Sequence, residues 1–201
     1  ICFIFLNFAE EPEVTLPEFL AGIDVMLEGA PFEDFPFSVR VTDEIDCNWK
    51  NLVNAFNEGY HVALAHPSLQ ELYGRTYRDL HLRNGLSVSI GWFDEGMARG
   101  WSVKNYVRIS PARPELPSHL QKAWTYYGLF PNAVFAITPE GAQFYQEIPV
   151  GPGRTRLTGR MYRWPDESRQ TRLARYLAFR IDRLTSAEDQ QLSIWSNESM
   201  K

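Results

Sequence analysis

Three stretches rich in β-branched and aromatic residues, 132–138, 142–150 and 154–164, are separated only by Pro139-Glu140-Gly141 and Gly151-Pro152-Gly153. Glycine and proline at such short spacing reverse a chain between neighbouring strands, so this run reads as an antiparallel meander. Residues 38–45 alternate apolar and polar as a half-buried strand does, and 86–93 reads as a further strand. Beyond the meander the period changes. From Asp166 onward, Leu173, Tyr176, Leu177, Arg180, Ile181 and Leu184 recur on one face of a long helix. Ser186 then reads as the N-cap of another helical segment, with Asp189 at its third position. Strands followed by a helix that packs across them make an α+β domain.

Ahead of the meander, residues 1–8 read as a buried strand, 10–17 as an acidic connector and 16–20 as a short helical turn. Pro31 to Pro36 is loop, with Phe32, Phe35 and Phe37 plugging a core edge. Asp46 or Asn48 caps a helix whose buried stripe is Trp49, Leu52, Val53, Phe56 and Tyr60. The segment from Pro67 to Gly85 reads as loop and short helix. Pro111, Pro114 and Pro117 make 101–122 an irregular excursion, with a helical turn over 116–124.

A net charge of −5 gives no basic footprint for nucleic acid. Cys2 and Cys47 fit no metal spacing and no disulfide framework, which points to a reducing, cytoplasmic setting. No apolar run approaches the roughly 18 residues of a membrane span. The opening apolar run is too short for a signal peptide and lacks a basic flank. With no initiating Met and an abrupt stop at Lys201, the chain reads as part of a longer protein.

The chemistry concentrates between Asn54 and Pro67, which hold Glu58, His61 and His66. Glu58 and His61 are three apart and share a face on a helix. His66 lies five beyond His61, about 140° round an ideal helix, so a straight helix splays the rings apart. Pro67 resolves this by pushing His66 out of the helical region, where its ring can swing back. Two neutral imidazoles and a carboxylate from elsewhere make a facial triad with open positions on non-haem Fe(II). Glu58 precedes both histidines, unlike the glutamate of a zincin protease. Glu188 and Asp189 are the candidates for the third ligand. On residue pattern alone, Asp189 is a helix N-terminal acid favoured by the helix dipole. His81 and His119 have no partner at ligand spacing.

Asp46-Cys47-Asn48-Trp49-Lys50, followed by Asn54 and then Glu58-x-x-His61-x4-His66-Pro67, resembles the iron-binding segment of the Rieske non-haem iron oxygenases, the ring-hydroxylating oxygenase α subunits. The meander, Glu188-Asp189 and even Phe3 to Asn7 resemble other parts of the same proteins. The resemblance implies a helix-grip catalytic domain, a sheet wrapped on a long helix, with His61, His66 and Asp189 holding mononuclear Fe(II). It implies that Glu58 bridges His61 to a Rieske histidine of a neighbouring subunit, that Asn54 sits near the iron and that Tyr60 buttresses the site. Residues 1–20 would be the end of a Rieske domain and its connector, and 21–201 the catalytic domain, incomplete at its C-terminus. The Cys-x-His and Cys-x-x-His ligands of a [2Fe–2S] Rieske cluster are absent, so that cluster is expected upstream.

The same resemblance implies electrons from NAD(P)H through a reductase or ferredoxin, and a homotrimer or α3β3 assembly. It also implies insertion of oxygen from O2 into an aromatic or other apolar substrate. Glu58 stands where the naphthalene-type enzymes have Asp, which resembles the branch acting on quaternary ammonium compounds. A metal-free small-molecule carrier with a helix-grip fold is the alternative of another class.

Overall fold

The computed structural model describes residues 4–28, 30, 32–165 and 167–200. In chain order the elements are α1 (Leu16–Leu20), α2 (Ile23–Met26), β1 (Phe37–Ile45), α3 (Trp49–Phe56), α4 (Val62–Ala65), α5 (Pro67–Tyr73), β2 (Arg78–His81) and β3 (Ser87–Trp92). Then follow α6 (Trp101–Ile109), β4 (Ala123–Leu129), β5 (Ala133–Thr138), β6 (Gly141–Gly151), β7 (Arg154–Arg163) and α7 (Arg169–Ser199). The strands form one antiparallel sheet in the order β1-β7-β6-β5-β4-β3-β2.

The expected turns fall where glycine and proline put them. Thr138 pairs with Gly141 across Pro139-Glu140, and Gly151 pairs with Arg154 across Pro152-Gly153. Gly141 is required by space, since a Cβ there would lie 2.1 Å from the Tyr162 carbonyl oxygen. Both faces of the sheet are covered. On one, Trp124 packs with Leu72 and Tyr73 of α5, Tyr106 of α6, and Ala174, Leu177 and Ile181 of α7. On the other, Tyr127, Phe135 and Ile137 pack with Ile23, Leu116, Leu120 and Trp164. A smaller cluster, Ile45, Cys47, Leu52 and Leu157, seats α3 against the sheet. The result is the expected α+β helix-grip architecture.

Helix α7 differs from its sequence reading in two ways. It runs unbroken for 31 residues from the Ser168 cap, about 46 Å at 1.5 Å per residue. Ser186 therefore caps nothing, and Asp189 lies in the helix interior. Residues 169–199 contain no Gly or Pro to stop the helix, and Thr185 ties its hydroxyl back to the Ile181 carbonyl instead of opening a new turn. The buried face is Thr171, Ala174, Leu177, Ala178 and Ile181, while Leu173, Tyr176 and Leu184 are about half exposed. Small alanines let the helix sit close to the sheet, and the larger apolar side chains point outward. Asp166, read as the helix start, lies outside the described residues.

Other expectations also need correction. Residues 4–8 form no strand, and Ile4, Leu6 and Phe8 are exposed, because the run pairs with nothing among the described residues. Residues 1–3 lie outside the described residues. Phe35 plugs the core edge against Trp164 at 4.5 Å, while the side chains of Phe32 and Phe37 fall outside those described. The segment expected to be irregular opens with α6, which buries Val103, Tyr106 and Val107 at helical spacing. All three prolines follow it. The helical turn expected over 116–124 is a short 3-10 turn at Ser118–Leu120 followed by β4. β4 is buried on both faces, so its side chains carry no alternating pattern.

Candidate metal centre

Asn48, one of the two expected caps, accepts from the Lys50 N–H and starts α3, which stops at Phe56. Residues 57–61 turn away, so Glu58 and His61 do not share a helical face as their spacing suggests. They meet across a turn, with Glu58 Oε1 2.5 Å from His61 Nδ1. Gly59 has no room for a side chain, since a Cβ would lie 2.0 Å from the Tyr77 ring. His66 has φ −119° and ψ 80°, breaking the chain between α4 and α5 just before Pro67. That break turns its ring back toward His61, with ring centroids 4.8 Å apart.

Both imidazoles aim Nε2 at one carboxylate. Asp189 Oδ1 lies 3.2 Å from His61 Nε2 and 2.9 Å from His66 Nε2. One ligand atom from each of the three residues lies within 4.8 Å of the others. The outward ring nitrogens are also held: Glu58 takes His61 Nδ1, and Glu188 Oε2 takes His66 Nδ1 at 2.8 Å. Each carboxylate fixes Nδ1 as the protonated nitrogen and leaves the Nε2 lone pair facing inward. Asp189 Oδ1 is buried and makes no properly directed hydrogen bond, although two ring nitrogens are near it. Three lone pairs converging on one point, with no directed bond between them, fit a bound cation better than a hydrogen-bonded triad.

The electrostatics agree. Burial pushes Asp189 up, but the two imidazoles outweigh it and hold the carboxyl below its usual range. Burial pushes both histidines down, and the carboxylates around them more than restore the shift and raise them. A divalent cation on the Nε2 side would take over the role of that positive charge.

The three residues open onto a cavity of about 70 Å³. Its walls include Phe56, Tyr77, Tyr126, Val134, Tyr145 and Leu157, and along α7 Asp182, Thr185, Ser186 and Asp189. Burial pushes the Asp182 carboxyl up to about 7, with Asp189 adding to the shift. Of the aromatic stretch Trp124 to Tyr127, only Tyr126 lines this cavity. Trp124 is buried with its N–H on Tyr106, and Tyr127 faces the other side of the sheet.

Two residues named from sequence are not brought to the centre. Asn54 is exposed and lines a separate groove with Trp49, Glu58, His81 and Phe130. Trp49, read as core, is therefore only half-buried. Tyr60 is 87 % exposed, and among the described residues it meets the site through its backbone N–H, which donates to Glu58 Oε2. His81 and His119 are exposed, away from the ligands. Glu188 lies behind His66 rather than among the inward-facing atoms. Asp182 was missed, though 182, 185, 186 and 189 follow the spacing of one helical face and all are polar.

The family model described as the ring hydroxylating alpha subunit (catalytic domain) matches residues 32–200. The chain belongs to this family. No curated protein matches it in sequence. Among solved structures, the quaternary ammonium Rieske monooxygenase CntA in complex with an inhibitor aligns with TM-score 0.69 and 16 % identity, over 96 % of this chain and 48 % of that one. Naphthalene 1,2-dioxygenase with indole in its active site aligns with TM-score 0.65 and 17 % identity, over 96 % and 49 %. The indole-bound enzyme from Rhodococcus sp. aligns with TM-score 0.66 and 14 % identity, over 93 % and 50 %. The chain thus spans about half the length of these Rieske oxygenases. Among the described residues, no helix is long and apolar enough to cross a membrane.

Proposed function

We propose that the chain is the mononuclear-iron domain of a Rieske-type oxygenase, with His61, His66 and Asp189 as the ligands of Fe(II). The observation that carries this reading is the convergence of two Nε2 atoms and a buried, unbonded Asp189 Oδ1 on one point beside a cavity. When bound, the iron supplies activation of O2 and transfer of its oxygen to an aromatic or other apolar substrate. The protein's own part is positioning. Glu58 and Glu188 fix both rings through Nδ1, α7 carries Asp189 on a rigid element, and the aromatic walls limit water around the substrate.

Glu58 is partly exposed, with 28 % of its side chain accessible, and still clasps His61. Among the described residues it both touches a ligand and borders the outer groove. We assign to it the coupling of the ligand shell to an electron-delivering partner. That partner would be a [2Fe–2S] Rieske cluster of a neighbouring subunit in a trimer, supplied from NAD(P)H through a reductase or ferredoxin. A glutamate here also favours the second reading, oxidation of a quaternary ammonium compound.

The test is anaerobic Fe(II) titration of the purified chain. One iron per chain is expected, lost in both His61→Ala and His66→Ala while the circular dichroism is kept. Wild-type iron binding in both variants would remove the reading.

A further inference from the structure

One carboxylate in the cavity has no task in the centre described above. Glu58 is engaged by His61, and Asp189 faces both imidazoles. Asp182 stands two turns earlier on α7, about 10 Å along the helix axis from Asp189. It accepts from the Tyr145 hydroxyl at 3.4 Å, and no Lys, Arg or His among the described residues pairs with it. Asp182 is half-buried, and a carboxylate partly withdrawn from water with no cation beside it is unfavourable unless something else brings the charge.

We propose that Asp182, with the aromatic walls of Tyr77, Tyr126 and Tyr145, is the subsite for a positively charged nitrogen on the substrate. The cavity then takes compact cationic amines in preference to their neutral or carboxylate-bearing relatives. This rests on the oxygenase reading, since it names the substrate class of that same site.

Three observations carry the proposal. The cavity lining holds no Lys or Arg, and with Glu58 and Asp189 engaged by the imidazoles Asp182 is the carboxylate left to face a substrate cation. The tyrosine rings in the same wall add the attraction of aromatic faces for an ammonium group. One of them is fixed in place, because Tyr145 stacks on Phe56 at an interplanar angle of 4° and bonds through its hydroxyl to Gln143. The volume, about 70 Å³, lies well below the roughly 300–1,000 Å³ of pockets that enclose drug-sized ligands. It suits a small headgroup.

Three probes of matched shape test this: choline, its uncharged isostere with carbon in place of the quaternary nitrogen, and betaine, which adds a carboxylate. Binding to the purified chain is followed by calorimetry, and iron stoichiometry is measured in the same samples. Choline is expected to bind at least tenfold more tightly than either relative. Asp182→Asn, of nearly unchanged shape, should weaken choline about tenfold and leave the isostere unaffected. Equal binding of choline and its isostere by the wild-type chain would overturn the subsite, as would an Asp182→Asn variant that keeps the preference. The wild-type ratio decides the matter even if the variant fails to fold. Iron bound with no preference for charge would overturn the subsite alone, whereas a preference without iron would support the subsite and remove the metal reading.

Discussion

The two halves of α7 have the same backbone and opposite contents. From Thr171 to Ile181 the inward face is Ala174, Leu177, Ala178 and Ile181, packed against Trp124 and Tyr106. From Asp182 to Ser193 the inward face is Asp182, Thr185, Ser186, Asp189 and Ser193, and much of it lines a cavity. Apolar burial in the first half stabilises the fold. The second half buries Asp189 and Ser193 and half-buries Asp182, Thr185 and Ser186, and among the described residues Asp189 Oδ1 and Ser193 Oγ have no directed hydrogen bond. A helix anchored at one end can hold costly chemistry at the other.

The largest effect should come from the apolar half. Ile181 is fully buried, and Ile181→Ala should cost roughly 2–5 kcal/mol in urea unfolding, with one Fe(II) per folded chain still bound. Loss of iron at unchanged stability would break the division between the halves.

Glu188, in the polar half, offers a sharper cut. Among the described residues its side chain pairs with His66 Nδ1 at 2.8 Å, and it is itself 36 % exposed. Glu188→Gln should weaken Fe(II) about 10–100-fold, because the ring loses the group that orients it. Its effect on unfolding should stay small, as expected for a partly exposed pair. Unchanged iron affinity would mean that Pro67 and packing alone fix the ring.

A smaller, pH-dependent effect tests the cost of the polar half. Burial raises Asp182 from its usual 3.8 to about 7, so the folded chain holds that proton more tightly than the unfolded one. Its contribution to stability is complete below pH about 4 and is lost as pH rises through about 7. Asp182→Asn should flatten the fall in metal-free stability across that window, a gain of roughly 1–2 kcal/mol at pH 8. Denaturant midpoints at pH 5 and pH 8 measure it. Equal slopes in variant and wild type would show that Asp182 is as well solvated in the fold as outside it.

The same contrast explains what could be read from the sequence. Hairpins were legible because Gly and Pro punctuate the chain between short strands, and Thr138 pairs with Gly141 and Gly151 with Arg154 across those residues. The break at His66 was legible because proline restricts the residue before it. The inward face of α7 was legible only in part, since Leu177 and Ile181 are buried as read while Leu173, Tyr176 and Leu184 are not. Its close approach to the sheet selects Ala174 and Ala178 over larger residues, so the hydrophobic pattern pointed at the exposed Leu173 and Tyr176. Helix α6 was hidden by prolines that lie beyond its end. Glu58 and His61 were paired for the wrong reason, since the contact crosses a turn that only Gly59, pressed against Tyr77, makes compact. Asn54 and Tyr60 were placed by resemblance, and the turn after Phe56 leaves both at the surface.

On the function proposed above, this turn, the His66 break and the polar half of α7 together make one metal face. X-ray absorption of the Fe(II)-loaded chain tests it most directly by counting imidazole ligands. Two imidazoles and a carboxylate are expected in the wild-type chain, with one imidazole left in any iron retained by His61→Ala and no site in the His61→Ala, His66→Ala double variant. Two imidazoles still on iron in His61→Ala, or iron at full occupancy in the double variant, would contradict it.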